Sequence, residues 1–132
     1  MSGNRTRGID GYMLANLSGK DYGIRGAILY IAEREFEPRS RFAGRPRMLV
    51  VPGTLGEGEW TMAATVLIRE RLVVENSLSP AMEEKILRFV EINHRPLLRY
   101  WQASPDLPTL ISTTTLISQL RSITDLRSGR RL

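Results

Sequence analysis

A capped, amphipathic helix between Ser79 and Trp101 is the feature that most constrains how this chain folds. Ser79 is a good N-cap residue, and Pro80 follows at the first helical position, where the missing N–H of proline costs no hydrogen bond. A helix with one apolar face needs a second layer to pack on, so Phe89 and Trp101 are predicted to lie in a core. The residues that form this face at helical spacing are Met82, Ile86, Phe89, Val90, Asn93 and Leu97.

Pro96 interrupts this helical segment. Proline has no N–H to donate to the Ile92 carbonyl, and its ring clashes with that carbonyl. The pattern therefore predicts either a kink or a split into two helices. Asn93 is a candidate cap for a second helix over residues 96–102. A further short helix is predicted near residues 114–123, with Ser112 and Thr113 as its candidate caps.

Residues 24–76 contain several segments of strand character. Residues 27–33 have a β-rich run but also match helical spacing, and we favour a strand there. Residues 47–51 form a short apolar run that ends at Pro52, residues 60–68 alternate with a period of two, and residues 72–76 are again strand-like. Three to four strands with short connections predict an antiparallel meander, and the fold class is therefore α+β. Trp60, on the alternating segment, is the third predicted core residue.

Composition sets the class of protein. The 132 residues suit a single domain, which we expect over 23–126, between a flexible N-terminal arm at 1–22 with at most one short element and a basic tail at 127–132. The chain has no cysteine, which fits a reducing compartment. No run is apolar enough to span a bilayer. We therefore expect a cytoplasmic protein without membrane association.

Three patterns bear on phosphate, metal and catalytic chemistry. The glycine-rich residues 53–58 precede a strand pattern instead of a helix, so a hairpin loop is favoured over a dinucleotide-binding turn. Gly19 and Lys20 lack the upstream glycine and the following Ser or Thr of a phosphate loop. No cofactor motif and no zinc site are indicated, because His94 is the only histidine.

The carboxylates at 33, 35 and 37 alternate along an extended segment. Three carboxylates on one face can hold a divalent cation, but a solvated face neutralised by nearby arginines is the favoured interpretation. His94 has no obvious carboxylate to orient it except Glu91, and no adjacent nucleophile, so a helix-end or surface histidine is favoured over a general base. The sequence thus favours a protein without enzymatic activity.

Arginine dominates the positive charge of the chain. Of 19 basic residues 17 are Arg, a bias typical of GC-rich genomes, and the net charge is +5. Residues 39–47, here called the arginine loop, carry the densest cluster: Arg39, Arg41, Arg45 and Arg47, with Phe42 among them. Because guanidinium groups pair with phosphates and aromatic rings stack on bases, this loop is the candidate nucleic-acid contact.

The C-terminal part resembles a group of small uncharacterised bacterial proteins of the domain-of-unknown-function kind. Their pattern is F-I-E-L-N-R-x-x-L-L-x-x-W followed by a second block ending L-I-x-x-L, and the resemblance covers residues 80–123, about a third of the chain. His94 stands where those proteins have Arg, and Pro96 interrupts a helix that is normally continuous. The matching residues are Phe89, Val90, Glu91, Ile92, Asn93, Leu97, Leu98, Trp101, Thr114, Leu116, Ile117 and Leu120.

The resemblance implies an interaction function. Some of those proteins lie in gene pairs that look like toxin–antitoxin modules, and the resemblance carries over no catalytic residue. We therefore expect a small regulatory protein that binds a protein partner, with nucleic-acid binding through the arginine loop as the alternative.

Overall fold

The computed structural model of the chain describes residues 14–34, 39–52, 63–103 and 109–124. Within these residues, five strands form one antiparallel sheet in sequential order, which is a meander. The strands are β1 (Leu14–Ser18), β2 (Ala27–Ala32), β3 (Arg47–Pro52), β4 (Ala64–Leu67) and β5 (Leu72–Glu75). The helices are α1 (Pro80–Ile92), α2 (His94–Ala103) and α3 (Thr109–Gln119), and a 3₁₀ turn covers Gly19–Tyr22. The α+β class and the antiparallel sheet are confirmed.

The sheet has one strand more than the upper number that the sequence predicts. Leu14–Ser18, which the sequence analysis placed in the N-terminal arm, pairs with β2 in the register Leu14 opposite Ala32 and Ser18 opposite Ile28. Only five residues long, β1 is too short for its alternation to stand out, and its pairing with β2 holds it in place. Residues 1–13 lie outside the described residues.

Successive side chains of β2 point alternately to the two faces of the sheet. Leu29 and Ile31 pack with the helices in the main core, which also contains Phe89, Leu97 and Leu116. Residues of the opposite face pack in a second cluster, which contains Leu14, Tyr30, Ala32, Leu49, Val51, Ala63 and Trp101. Both faces of the central strands are thus buried, including residues 63–68, for which the sequence predicted only a half-buried strand.

Two of the three predicted core residues can be placed. Phe89 has no exposed surface and Trp101 is 5% exposed. They lie in different clusters, Phe89 between helix and sheet and Trp101 against the opposite face. Trp60 falls outside the described residues, as does the hairpin loop predicted at 53–58.

Pro96 splits the helical segment in two. The α1 helix ends at Ile92, the residue whose carbonyl the proline ring would meet, and α2 begins again at His94. Pro96 then occupies the third position of α2, where a backbone N–H needs no intrahelical partner. The predicted cap of α1 is confirmed, since the Ser79 hydroxyl accepts a hydrogen bond of 3.2 Å from the N–H of Met82.

The last helix starts earlier than the sequence predicts. It covers Thr109–Gln119, so Ser112 and Thr113 lie inside it as buried residues and do not cap it. The expected caps are wrong because serine and threonine also occur within helices, and local sequence does not separate the two uses. Within the described residues, no helix has the length and apolar character needed to cross a membrane.

Candidate functional site

A groove about 350 Å³ in volume lies between α2 and α3. Pro96, Arg99, Tyr100 and Ala103 line it from α2, and α3 contributes Ser112, Thr115, Leu116 and Gln119. The Arg99 guanidinium donates a hydrogen bond of 3.3 Å to the Gln119 side-chain oxygen and so ties the two walls together. The spacing of the α3 residues, i, i+3, i+4 and i+7, places them on one face of the helix. We refer to this feature as the α2–α3 groove.

The α3 helix carries no ionisable residue, although 25% of the chain is charged. Its outward side is instead covered by threonine, serine and two isoleucines. Ile111 is 51% exposed and lies one helical turn from Thr115, next to the α2–α3 groove, while Ile117 is 44% exposed. Depletion of charge combined with exposed apolar side chains is typical of the centre of a protein–protein interface.

Arg99 is the charged residue among the described residues that line the α2–α3 groove. Residues 92–103 and 109–124 contain no Asp or Glu, and their permanently charged residues are Arg95, Arg99 and Arg121, all of them exposed. A ligand that enters the groove therefore meets a mainly apolar surface and the Arg99 guanidinium. Carboxylates on that ligand would be favoured, and cations disfavoured.

A buried carboxylate lies behind the groove. The Tyr100 hydroxyl donates a hydrogen bond of 3.1 Å to Glu33, and the two residues are 3% and 5% exposed. Glu33 was expected on a solvated face with Glu35 and Glu37, and this is wrong for Glu33, while residues 35–38 lie outside the described residues. The missed signal is the period of two along β2, which puts residue 33 on the same side as Leu29 and Ile31.

This carboxylate–phenol pair fixes the position of α2. Burying a carboxylate is costly unless it accepts hydrogen bonds, and the Tyr100 hydroxyl supplies one from the helix that lines the groove. Arg34, the residue after Glu33, donates a hydrogen bond of 3.1 Å to the Gln102 backbone carbonyl. The end of β2 therefore holds the second half of α2 at two points.

His94 lies at the start of α2 and is half-buried. Its Nε2 atom is buried and has no hydrogen-bond partner among the residues that the structure describes. It lines neither the α2–α3 groove nor the other pocket described below. The position is that of a helix-end histidine.

The structure separates the residues of the arginine loop. Arg47 is 1% exposed and its guanidinium donates hydrogen bonds of 2.9 Å to the Phe42 carbonyl and 3.4 Å to the Arg45 carbonyl. Phe42 is itself buried, at 9% exposure. Nucleic-acid binding through the whole loop would require Arg47 to be exposed, and it is not, while the buried Phe42 is not placed to stack on a base.

The remaining cations of the loop meet the β4–β5 hairpin. Arg45 forms a hydrogen-bonded ion pair of 2.8 Å with Glu70, and Arg41 lies 3.6 Å from Glu75. The hydrogen bond from Arg45 holds the pKa of Glu70 below its ordinary value. Arg39 is exposed. Among the described residues, carboxylates of the β4–β5 hairpin thus lie against two of the loop arginines, while Glu35 and Glu37, the other carboxylates named in the sequence analysis, lie outside the described residues.

Comparison of the chain with protein-family models, with curated proteins and with solved structures finds no match in any of the three. The resemblance of residues 80–123 to small bacterial proteins consequently stays a prediction. Among the described residues, no group of three or more His, Asp or Glu side chains is arranged to hold a metal ion.

Proposed function

We propose that the protein is a non-catalytic binding protein that docks a polypeptide partner in the α2–α3 groove. The observation that carries this proposal is the uncharged α3 helix, whose exposed Ile111 adjoins an apolar groove. A solvent-facing helix ordinarily carries charged residues on its outer side, and α3 has none. A bound partner covers this uncharged and partly apolar side of α3.

The groove also defines the chemistry of the partner. Its apolar floor and its two helical walls suit an amphipathic helix, which inserts side chains at i, i+3 or i+4, and i+7. Arg99, which lines the groove, favours a partner whose polar side carries Asp or Glu. The proposed partner is therefore an acidic amphipathic segment of another protein.

The resemblance to proteins from toxin–antitoxin-like gene pairs supports the same proposal. It implies that the partner is encoded by a neighbouring gene and that the pair has a regulatory role. The product of the adjacent gene is therefore the first full-length partner to test.

Two substitutions on α3 test the docking site with a matched control. Thr115 and Thr114 are consecutive and exposed, but only Thr115 lines the groove. Thr115→Arg fills the groove and adds a second cation to its lining, whereas Thr114→Arg makes the same change outside the lining. The probes are peptides selected on the wild-type chain from a random library displayed on phage, together with the adjacent gene product.

The expected result is that selected peptides combine apolar residues at helical spacing with carboxylates. Thr115→Arg should weaken their binding by about tenfold or more, which corresponds to about 1.4 kcal/mol. Thr114→Arg should leave it unchanged. Equal effects of the two substitutions, or selected peptides without acidic and apolar residues, would contradict the proposal. Circular dichroism of both variants verifies that α3 remains folded.

A further inference from the structure

The only two lysines of the chain line the same pocket. Arginine outnumbers lysine by 17 to 2, yet Lys20 from the Gly19–Tyr22 turn and Lys85 from α1 both face a polar pocket of about 500 Å³. Arg25 supplies a third cation. The other residues that line this pocket, here called the lysine pocket, are Asp21, Gly23, Ser122 and Thr124.

Core packing brings the two lysines together. Tyr22, in the same turn as Lys20, packs edge-on against Phe89, with ring centroids 5.5 Å apart. Phe89 lies four residues after Lys85, on the same side of α1. The aromatic contact therefore places the turn beside the side of α1 that carries Lys85, which brings the two ammonium groups to one pocket.

Gly23 allows the segment after α3, which carries Ser122 and Thr124, to pack close to the Gly19–Tyr22 turn. Its φ of 87° is a left-handed conformation, and an added Cβ would lie 2.8 Å from Ile123 Cγ1 and 3.1 Å from Ser122 Oγ. The segment after α3 thus packs directly on the glycine. Only glycine allows this approach, and the approach is what places Ser122 and Thr124 beside the lysines.

Asn93 holds the same segment from the other side. The Asn93 side chain accepts a hydrogen bond of 2.8 Å from the Arg121 N–H and donates one of 2.9 Å to the Arg121 carbonyl. Asn93 has no exposed surface and lies between α1 and α2. The Asn93 side-chain amide fixes Arg121, and Ser122 packs on Gly23. Buried contacts therefore hold this wall of the pocket in place.

The pocket has the chemistry of an oxyanion site. Three cations face it against one carboxylate, Asp21. In the described part of the chain, no carboxylate forms a salt bridge with any of these three cations. The Ser122 and Thr124 hydroxyls, which hydrogen-bond to each other over 2.7 Å, add neutral polar groups to the lining. Lysine acts as a compact point charge with rotatable donors, which suits a tetrahedral oxyanion that has no fixed plane.

We propose that the lysine pocket binds the phosphate group of a small phosphorylated molecule. Its volume lies within the range of about 300–1,000 Å³ typical of small-molecule sites. The site is separate from the α2–α3 groove, and the two share no lining residue. It does not depend on the proposed docking of a polypeptide partner.

Calorimetric titrations at constant ionic strength test this site with three probes: inorganic phosphate, pyrophosphate and adenosine monophosphate. The full chain should bind at least one of them saturably with one site. Lys20→Gln and Lys85→Gln should each weaken binding by about tenfold or more, since each removes a charge-assisted hydrogen bond. Arg69→Gln, which removes one charge from the exposed β4–β5 turn, is the matched control and should bind like the wild type.

The three probes also distinguish the source of the phosphate. Tighter binding of adenosine monophosphate than of inorganic phosphate would assign the site to a phosphate ester, and equal binding would assign it to the free ion. In the wild type, amide resonances of Gly23, Ser122 and Thr124 should shift on titration, a readout that requires no variant. Absence of saturable binding to all three probes, or an equal loss in Arg69→Gln, would overturn the proposal.

Discussion

The arginine loop and the lysine pocket both concentrate positive charge, but their cations have different surroundings. In the loop, Arg41 and Arg45 lie against Glu75 and Glu70, and Arg47 is buried on backbone carbonyls. In the pocket, Lys20 and Lys85 come from distant parts of the chain and face a common space. A dense run of charge in sequence is thus satisfied within the protein, whereas two scattered residues form the candidate binding site.

The difference has a physical origin. Neighbouring residues in a loop are close in any conformation, and a chain that crowds like charges there must supply opposite charges or burial to hold the loop in one structure. Like charges that meet only after folding are not compensated by opposite charges nearby in the sequence. Their mutual repulsion raises the free energy of the folded state unless a ligand of opposite charge binds between them. Convergence in space is therefore better evidence for a ligand than density in sequence.

The largest expected effect lies within the arginine loop itself. Arg47→Ala removes the donor to the Phe42 and Arg45 carbonyls and the packing of a buried side chain, so it should cost about 2–4 kcal/mol of unfolding free energy. Arg39→Ala, at an exposed position of the same loop, should change stability by less than about 0.5 kcal/mol. Urea denaturation of both variants measures the contrast, and equal costs would show that Arg47 is not a structural residue.

The second effect concerns the support of the lysine pocket. Asn93→Ala removes the hydrogen bonds to Arg121 and leaves its backbone groups without these partners, which should cost about 2–3 kcal/mol. Phosphate binding should weaken as well, although Asn93 does not line the pocket. Calorimetry below the melting transition tests this. Unchanged phosphate affinity in a destabilised but folded variant would show that the clamp on Arg121 does not position the pocket.

Much of this architecture follows from local pattern. The Ser79 cap, the helix that Pro96 interrupts and the strands at 27–32 and 47–52 all have signals within a few residues, namely a capping side chain, a missing N–H or an uninterrupted β-rich run. Glu33 also had a signal, since continuing the period of β2 by one step buries it. That signal was outweighed by the expectation that carboxylates remain solvated.

Other features have no local signal. β1 is five residues long, and only its pairing with β2 defines it as a strand. The lysine pocket requires the contact of Tyr22 with Phe89 and of Gly23 with Ile123, and both contacts join segments far apart in sequence. Gly19 and Lys20 lie in a short 3₁₀ turn, and this lysine meets the other cations of the pocket only through tertiary packing.

A smaller effect should appear in the pH dependence of stability. Because Arg45 lowers the pKa of Glu70 in the folded protein, the pair stabilises the fold above the ordinary carboxyl pKa of 4.5 and loses this contribution as pH falls through the lowered value. The pair is exposed and screened by water, so Glu70→Gln should cost less than about 0.5 kcal/mol at pH 7. The wild type and the variant should converge in melting temperature once the pH falls below the lowered pKa of Glu70. A difference that persists there would show that Glu70 acts through packing and not through charge.

The smallest expected effect is the response of nucleic-acid binding to the arginine loop, and it tests the alternative function directly. Arg47 must be retained because it is buried, so the variant combines Arg39→Gln, Arg41→Gln and Arg45→Gln. If these residues contacted phosphates, the salt slope of binding to duplex DNA would fall by at most about 2.7, or about 0.9 per contact. We expect no measurable change, because Arg41 and Arg45 lie against carboxylates and Phe42 is buried. Fluorescence anisotropy with labelled DNA and RNA between low and physiological salt measures the slope. Tight, salt-sensitive binding by the wild type that the triple substitution abolishes would reverse the assignment and make the loop, instead of the pocket, the basic site that recognises phosphate.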